Sequence, residues 1–456
     1  MVILRCGILL LIVPSMHLIT EPVRNGGYIP RMILPIAWSI ALKTFRTSPS
    51  CHIPFNAFNG TLDRHSLCTT EFITARQSYD WLCDALEVYK PRQSEYGRLN
   101  LQGTVMSKRK IQKLVKDEYV LDWDDPRLYT LVALRRRGVP PEAILAFVKG
   151  LGVSTATTNI QVPRFEQAVR QYLENSAPRL LMVLKPLKVV LENVPEDYLV
   201  MVEKPLHPKV SELGKSMIPF SRTLYIDADD FRIQDSKDYF RLAPGKTVGL
   251  FQGPHSITCI SYKTDPSTGE VVELSCRLED GSSGPIPPKP KAFIQWVAHH
   301  TPSGSPVRVD ETRIFHPLFK SENPAALDNF LDDIDKDSLQ IISGALVEVG
   351  FWSLAKTAFD EARKGARSRT EKALQEGVST SGADVNDDMP RPTFEQLVGN
   401  ECVRFQGLRV AYFALDKDAK LGSLGDAQAS PGPHPGDKIV LNRIVSLKED
   451  ASKKMA

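Results

Sequence analysis

At 456 residues the chain exceeds the length at which a single hydrophobic core stops growing, so it divides into about two to four domains. Its 42% hydrophobic and 24% charged residues exclude wholesale disorder, and 57 Lys plus Arg against 54 Asp plus Glu exclude a global polyelectrolyte, leaving any nucleic-acid surface as a local patch. The seven cysteines, Cys6, Cys51, Cys68, Cys83, Cys259, Cys276 and Cys402, show no Cys-x-x-Cys or Cys/His spacing, which excludes a zinc site and points to reduced, mostly buried thiols.

Residues 1–60 are apolar, interrupted by proline and without sustained period, and they receive no fold assignment. The opening MVILRCGILLLIVPSMHLIT has the outline of a secretory signal, but Pro14 and His17 stand where small cleavage-site residues belong, and the run is short for a membrane span. A cytoplasmic protein without a membrane partner is the expectation. Tyr79, Leu82, Leu86 and Tyr89 then recur at helical spacing before Pro91. SEYGRLNLQGTV reads as a short strand or hairpin that feeds a basic loop, Met106-Ser107-Lys108-Arg109-Lys110, after which IQKLVKDEY resumes as helix.

WDDPRLYTLVALRRRGVPPEAILAFVKGLGV predicts two helices broken between Gly138 and Pro141, and RFEQAVRQYLENSAP a third, making a small bundle. Within it Arg135-Arg136-Arg137 reads as a solvated helix face. From Pro178 the hydrophobic period shifts towards two, in short segments such as YLVMVEKPL, KTVGLF, SITCISYKT and VVELSCRLED separated by turn residues. That rhythm suggests β-barrels or sandwiches. DNFLDDI reads as a brief helix, while 361–392 and 417–437, polar and rich in Gly, Ser and Ala, read as exposed insertions or disordered loops.

Alone, Met106 to Lys110 is ambiguous. Three cations beside a hydroxyl can bind phosphates through ammonium contacts and backbone N–H groups, and they can equally form a solvated turn. Context decides between them. The run from HSLCTTEF through YDWLCDALEVYKPRQSEYGRLNLQGTVMSKRK to WDDPRLYTLVALRRRGVPPEAI resembles the class I glutaminyl-tRNA synthetases of the eukaryotic type, and the resemblance covers about 65–447. It implies an α/β plus all-β multidomain chain. In that organisation 61–124 is the C-terminal remnant of a class I Rossmann catalytic domain and 125–177 a helical bundle. Segments 178–220 and 305–448 form a first, proximal anticodon-binding β-barrel, and 221–304 a second, distal one, both L25-like.

By this resemblance VMSKRK is the KMSKS loop, so Met106, Ser107 and Lys108 are the implied catalytic residues, with Lys108 stabilising charge on the phosphates of ATP. Arg98 and Leu99 match the segment against the adenine, and Gln93 a glutamine of the substrate-binding environment. Arg179, Arg241, Gln406 and Arg409 match anticodon contacts, the last two as a pair reading one base. Arg and Gln side chains in fixed pockets can read unpaired bases on their edges. Gly249 and Phe251 stand where bacterial members carry arginines. The implied reaction is ATP-dependent adenylation of glutamine, with Mg2+ as counter-ion, and transfer to tRNA-Gln. Neither a structural metal nor DNA is implied. The related glutamyl-tRNA synthetases share the loop and WDDPR, whereas HSLCTTEF and PRQSEYGRLNL look more like the glutamine enzyme.

The family's first half-domain carries a His-Ile-Gly-His motif that binds ATP opposite the KMSKS loop, and no such motif occurs in these 456 residues. Positioning catalysis needs both walls of a site. Two expectations follow: a glutamine–tRNA ligase by descent whose adenylation site is incomplete in this chain, or a non-catalytic module that binds the tRNA anticodon.

Overall fold

The computed structural model describes residues 65–87, 90, 92–281, 290–375, 393–425 and 430–447. The expectations for 1–60, and for Tyr89 and Pro91, lie outside the described residues. The first domain opens with β1 (His65–Thr69) and β2 (Arg92–Tyr96), paired in parallel and connected through α1 (Arg76–Ala85). Parallel neighbours require such a crossover. Tyr79 and Cys83 are the buried residues of α1, and Arg76 Nε donates to Glu95 Oε1 at 2.9 Å, tying helix to strand. Leu86 falls past the helix end and is 41% exposed.

β3 (Leu99–Leu101) pairs in parallel not with β2 but with β4 (Thr158–Ile160), so SEYGRLNLQGTV supplies two strands of different sheets and no hairpin. α2 (Lys108–Lys116) buries Ile111 and Leu114. The bundle consists of α3 (Leu131–Arg137), α4 (Pro141–Leu151) and α5 (Val162–Ser176). Its punctuation is local: Thr130 Oγ1 accepts from the Ala133 amide at 3.1 Å, and Gly138 closes α3 with φ 96°. A Cβ on Gly138 would collide with the Ala414 side chain, so glycine is required there twice over.

The β region begins with β5 (Arg179–Leu180), β6 (Met182–Val183), β7 (Pro186–Leu191) and a hairpin of β8 (Leu199–Pro205) and β9 (Lys215–Ser221). It continues through β10 (Thr223–Asp227), β11 (Thr247–Leu250), β12 (Ser256–Thr264), β13 (Val271–Glu279), β14 (Phe293–Ile294) and β15 (Val297–Ala298). Next come β16 (Val307–Val309), β17 (Glu311–Phe315), β18 (Leu339–Ile342), β19 (Ala345–Val347), α6 (Gly350–Gln375), β20 (Arg404–Gly407), β21 (Ala411–Leu415) and β22 (Val440–Ser446).

Two large mixed sheets result. One has the order β14-β11-β12-β13-β7-β10-β15, the other β18-β17-β22-β21-β20-β5, with a three-stranded sheet β16-β19-β6 beside them. β7 lies within 178–220 yet joins the seven-stranded sheet, pairing with β10 and β13. Each sheet has its own apolar core: Phe220, Val248, Ile257, Leu274 and Trp296 in the first, and Phe351, Phe405, Phe413 and Leu441 in the second. Leu408, at the β20–β21 turn, packs into the first core and so pins the tip of one sheet against the other.

Three expectations are corrected. The stretch 361–375 is not an exposed loop but the second half of α6, with Ala366 fully buried. Its Ala, Arg, Lys and Glu are strong helix formers, and a reading based on polarity alone overlooks that. In 417–437, Ala419, Leu421 and Leu424 are buried in the second core, and the Asp437 carboxylate accepts from the Gly422 and His434 amides at 2.8 and 2.7 Å. DNFLDDI is a series of turns rather than a helix; Phe330 and Ile334 insert against Ile111 and Leu114 of α2.

Candidate functional site

The Met106–Lys110 loop is held from behind. Val105 and Ile111 flank it in the apolar cluster with Leu318 and Phe319, and Lys110 donates to the Ala325 carbonyl at 2.6 Å while its ammonium lies 5.1 Å from the Phe330 ring centroid. Lys110 is therefore a fastener. Ser107 precedes the first turn of α2 with extended backbone, and its hydroxyl makes no capping bond. The first amides of a helix lack intrahelical partners, and they carry positive partial charge. Lys108, half-buried, has no hydrogen-bond or ion-pair partner among the described residues. The donors presented are those an anionic phosphate takes.

Around this loop, Leu99 packs on the helical-bundle core and lines an apolar cleft with Met106, Tyr129 and Phe147. Arg98 is exposed and lies 3.6 Å from Glu71. Gln93 sits in β2, in register with Ser66, and its carbonyl accepts from Arg76 at 3.3 Å.

The second group of residues lies in the β region. Parallel pairing of β20 with β5 sets Gln406 directly beside Arg179. Gln406 is 8% exposed, and its Oε1, like Arg179 Nε, is buried without a hydrogen-bond partner among the described residues. Such orphaned polar atoms cost about 1–3 kcal/mol each unless something pairs with them. His207 adjoins Arg179: its Nδ1 accepts from the Lys209 and Val210 amides, which leaves Nε2 protonated and donating to the Glu174 carbonyl at 2.8 Å. Beneath the pair, Lys204 Nζ donates to the Arg179 carbonyl at 2.6 Å and lies 3.3 Å from Glu348, both side chains buried.

Arg409 is only three residues from Gln406 but belongs to another cluster. It has φ 56°, donates to the Phe293 carbonyl, and sets its guanidinium 5.3 Å from the Phe251 ring centroid. Phe251 thus forms an aromatic seat for Arg409. Gly249 is equally committed, since a Cβ there would strike the Phe293 ring. Arg241 joins this cluster through Asp230, whose Oδ1 is 2.8 Å from Arg241 Nη1.

Burial pushes the Asp230 carboxyl up to about 6, with Arg241 and Arg409 opposing and Asp227 and Asp229 adding to it. A carboxyl whose folded pKa exceeds its unfolded value makes the fold less stable as pH rises between the two, from about 4 to about 6. Asp230→Asn is therefore expected to become more stable relative to wild type across that interval, with the difference levelling off above it. Thermal melts over the range check this; a difference that stays flat with pH refutes it.

Sequence reasoning missed Lys204, Glu348, His207 and Asp230. Lys204 had a signal: it shares a strand face with Val200 and Val202, where a solvated lysine is out of place. Arg135-Arg136-Arg137 needs correction as well. Arg136 and Arg137 are each 7% exposed, the former on Asp416, Asp124 and Asp418 and the latter on the Ile444 carbonyl and Glu166, and only Arg135 faces solvent. Among the described residues the five cysteines are free, four of them buried, no group of three or more His, Cys, Asp or Glu could hold a metal ion, and no helix is long and apolar enough to cross a membrane.

Residues 64–175 match the family of class I tRNA synthetases (E and Q), catalytic domain, and 177–279 match the anticodon-binding domain of the same class. The chain is 45% identical over 413 residues to a probable glutamine–tRNA ligase of Schizosaccharomyces pombe, covering 90% of this chain and 45% of that protein. It is 42% identical over 395 residues to the glutamine–tRNA ligase of Saccharomyces cerevisiae, covering 85% and 44%, and 37% identical over 394 residues to that of Bos taurus, covering 85% and 42%. It therefore spans slightly less than half the length of these relatives. With two consecutive domain matches in the order catalytic then anticodon-binding, and these identities along most of its length, the chain belongs to the class I glutaminyl-tRNA synthetase family.

Proposed function

We propose that the protein serves a glutamine–tRNA ligase, contributing the lysine wall of the adenylation site and the surface that reads the anticodon of tRNA-Gln. The observation that carries this reading is that one chain presents both Lys108, unpaired among the described residues, at the start of α2 and, side by side in the β region, buried polar atoms of Arg179 and Gln406 without hydrogen-bond partners among the described residues. ATP, with Mg2+ as counter-ion, supplies the adenylyl group. Lys108 and the α2 amides bind its phosphates, Ser107 offers a hydroxyl, and Met106 packs the loop onto the bundle. Arg98, Leu99 and Gln93 face the nucleotide and the glutamine. The two large sheets act as L25-like barrels, in which Arg179, Gln406, Arg241 and Arg409 contact unpaired bases. The protein works in the cytoplasm.

A second reading, an anticodon-binding module without catalysis, rests on the Arg179–Gln406 pair of the β region alone. Glutamine-dependent ATP–pyrophosphate exchange in the presence of tRNA-Gln, measured beside tRNA binding, separates the two. Under the ligase reading Lys108→Ala lowers exchange by about 100-fold or more and leaves tRNA affinity unchanged, as expected for loss of a transition-state charge contact. Exchange at background for wild type, alongside tight and salt-sensitive binding, selects the module. In either case Arg179→Ala is expected to weaken tRNA-Gln binding about tenfold, and unchanged affinity would remove Arg179 from the interface.

A further inference from the structure

The rim of the seven-stranded sheet carries a concentration of cations over aromatic rings. Arg232 and Lys246 lie 4.5 and 5.7 Å from the Tyr239 centroid, Lys291 lies 5.6 Å from Phe240, and Arg409 lies 5.3 Å from Phe251. The three rings differ in what they do. Tyr239 is 8% exposed and Phe251 packs against the core of the sheet, so both serve the fold. Phe240 is 47% exposed and belongs to no apolar cluster among the described residues. Its neighbour Arg241 is held by Asp230, which also feels the charge of Arg409.

An exposed ring outside the apolar clusters of the described residues, with the Lys291 ammonium over it and next to an arginine assigned to RNA, has the composition of a base-stacking platform. Every nucleobase offers a π face to such a ring, and a cation beside the ring suits the backbone phosphate that accompanies the base. We propose that Phe240 stacks an unpaired base of the RNA that Arg241 contacts, with Lys291 moving from the ring to a phosphate. This rests on the reading of the rim as an RNA surface, and it adds to that reading a contact carried by an aromatic face instead of a charge.

The test uses the whole chain with Phe240→Leu, Phe240→Trp and Arg241→Ala, titrated with a tRNA-Gln transcript at several salt concentrations. Phe240→Leu keeps an apolar side chain and is expected to weaken binding about 5- to 100-fold, the range for one lost stack, while Phe240→Trp binds within about twofold of wild type. Because no phosphate contact is lost, the slope of log affinity against log salt is unchanged by either substitution. The tryptophan fluorescence introduced by Phe240→Trp is expected to change on binding. Wild-type affinity for Phe240→Leu, with Arg241→Ala weakened, overturns the stacking contact and leaves the RNA surface standing. Wild-type affinity for both overturns the reading of the rim itself. A reduced salt slope for Phe240→Leu assigns the loss to displaced charge and likewise overturns the stack.

Discussion

Replacing Lys204 by methionine is expected to destabilise the protein by about 3–5 kcal/mol, the range for breaking a buried ion pair from one side. The Lys204 and Glu348 side chains are 0% and 3% exposed, with their charged atoms 3.3 Å apart. Lys204 Nζ holds the Arg179 carbonyl at 2.6 Å and Glu348 Oε2 accepts from the Leu181 amide at 2.8 Å, so the pair grips the backbone on both sides of Leu180. Methionine keeps the apolar stem and leaves the Glu348 carboxylate buried without its counter-charge. Burial already pushes the Glu348 carboxyl above its ordinary value, against the opposing effect of Lys204, and loss of the lysine raises it further. A carboxyl raised in the folded state costs most stability where it must ionise, so the deficit shrinks as the medium is acidified. Denaturant unfolding at mildly alkaline and mildly acidic pH measures both effects; a variant as stable as wild type under alkaline conditions would contradict the argument. Adding Glu348→Gln keeps an acceptor for the Leu181 amide and is expected to restore most of the stability. It does not restore the anchor on the Arg179 carbonyl.

Arg136→Met is expected to cost about 3 kcal/mol, at the lower end of the same range because Asp416 retains a second cation. Arg136 Nε and Nη2 lie 3.0 and 3.2 Å from the two oxygens of Asp416, whose side chain is fully buried, and Arg313 Nη1 lies 3.2 Å from it. Burial works against the ionised Asp416, but hydrogen bonds from Arg136, the Asp418 amide and Asn442 outweigh it and hold the carboxyl below the usual carboxylate range. A carboxyl lowered in the folded state stabilises above its unfolded pKa and loses that contribution as pH falls towards the folded one. Without Arg136 the folded pKa rises, so the variant unfolds in acid at a higher pH than wild type. Circular dichroism during acid titration reads that midpoint, and coincident midpoints would refute it. Arg135→Ala, at the exposed member of the triplet, is the control and is expected to change stability by less than about 0.5 kcal/mol.

The three neighbouring arginines show where a sequence reading stops. The break after them was legible because Gly138 and Pro141 act on the residues next to them, whereas the Thr130 cap was seen only in the structure. The fate of each guanidinium was not legible, because the groups that bury Arg136 and Arg137 come from Asp416, just past β21, and Ile444, on β22, which return much later in the chain. α6 failed for a different reason. Only its start is rich in large apolar residues, with Phe351, Trp352 and Leu354 buried, and from there alanines and charged residues carry it beyond the reach of an apolar period.

The sequence by itself determined what depends on contiguous residues: the basic loop at the start of α2, the capped helices of the bundle, the alternating strands, and through the ordered motifs the family. Only the tertiary structure decided which of the singled-out side chains meet. Gln406 and Arg409 are near in sequence, yet the first lies in register with Arg179 while the second, within the β20–β21 turn, joins Phe251, Arg241 and Asp230. Pairing register and turn geometry set those neighbours, and both are settled by how distant strands bury their apolar faces against each other.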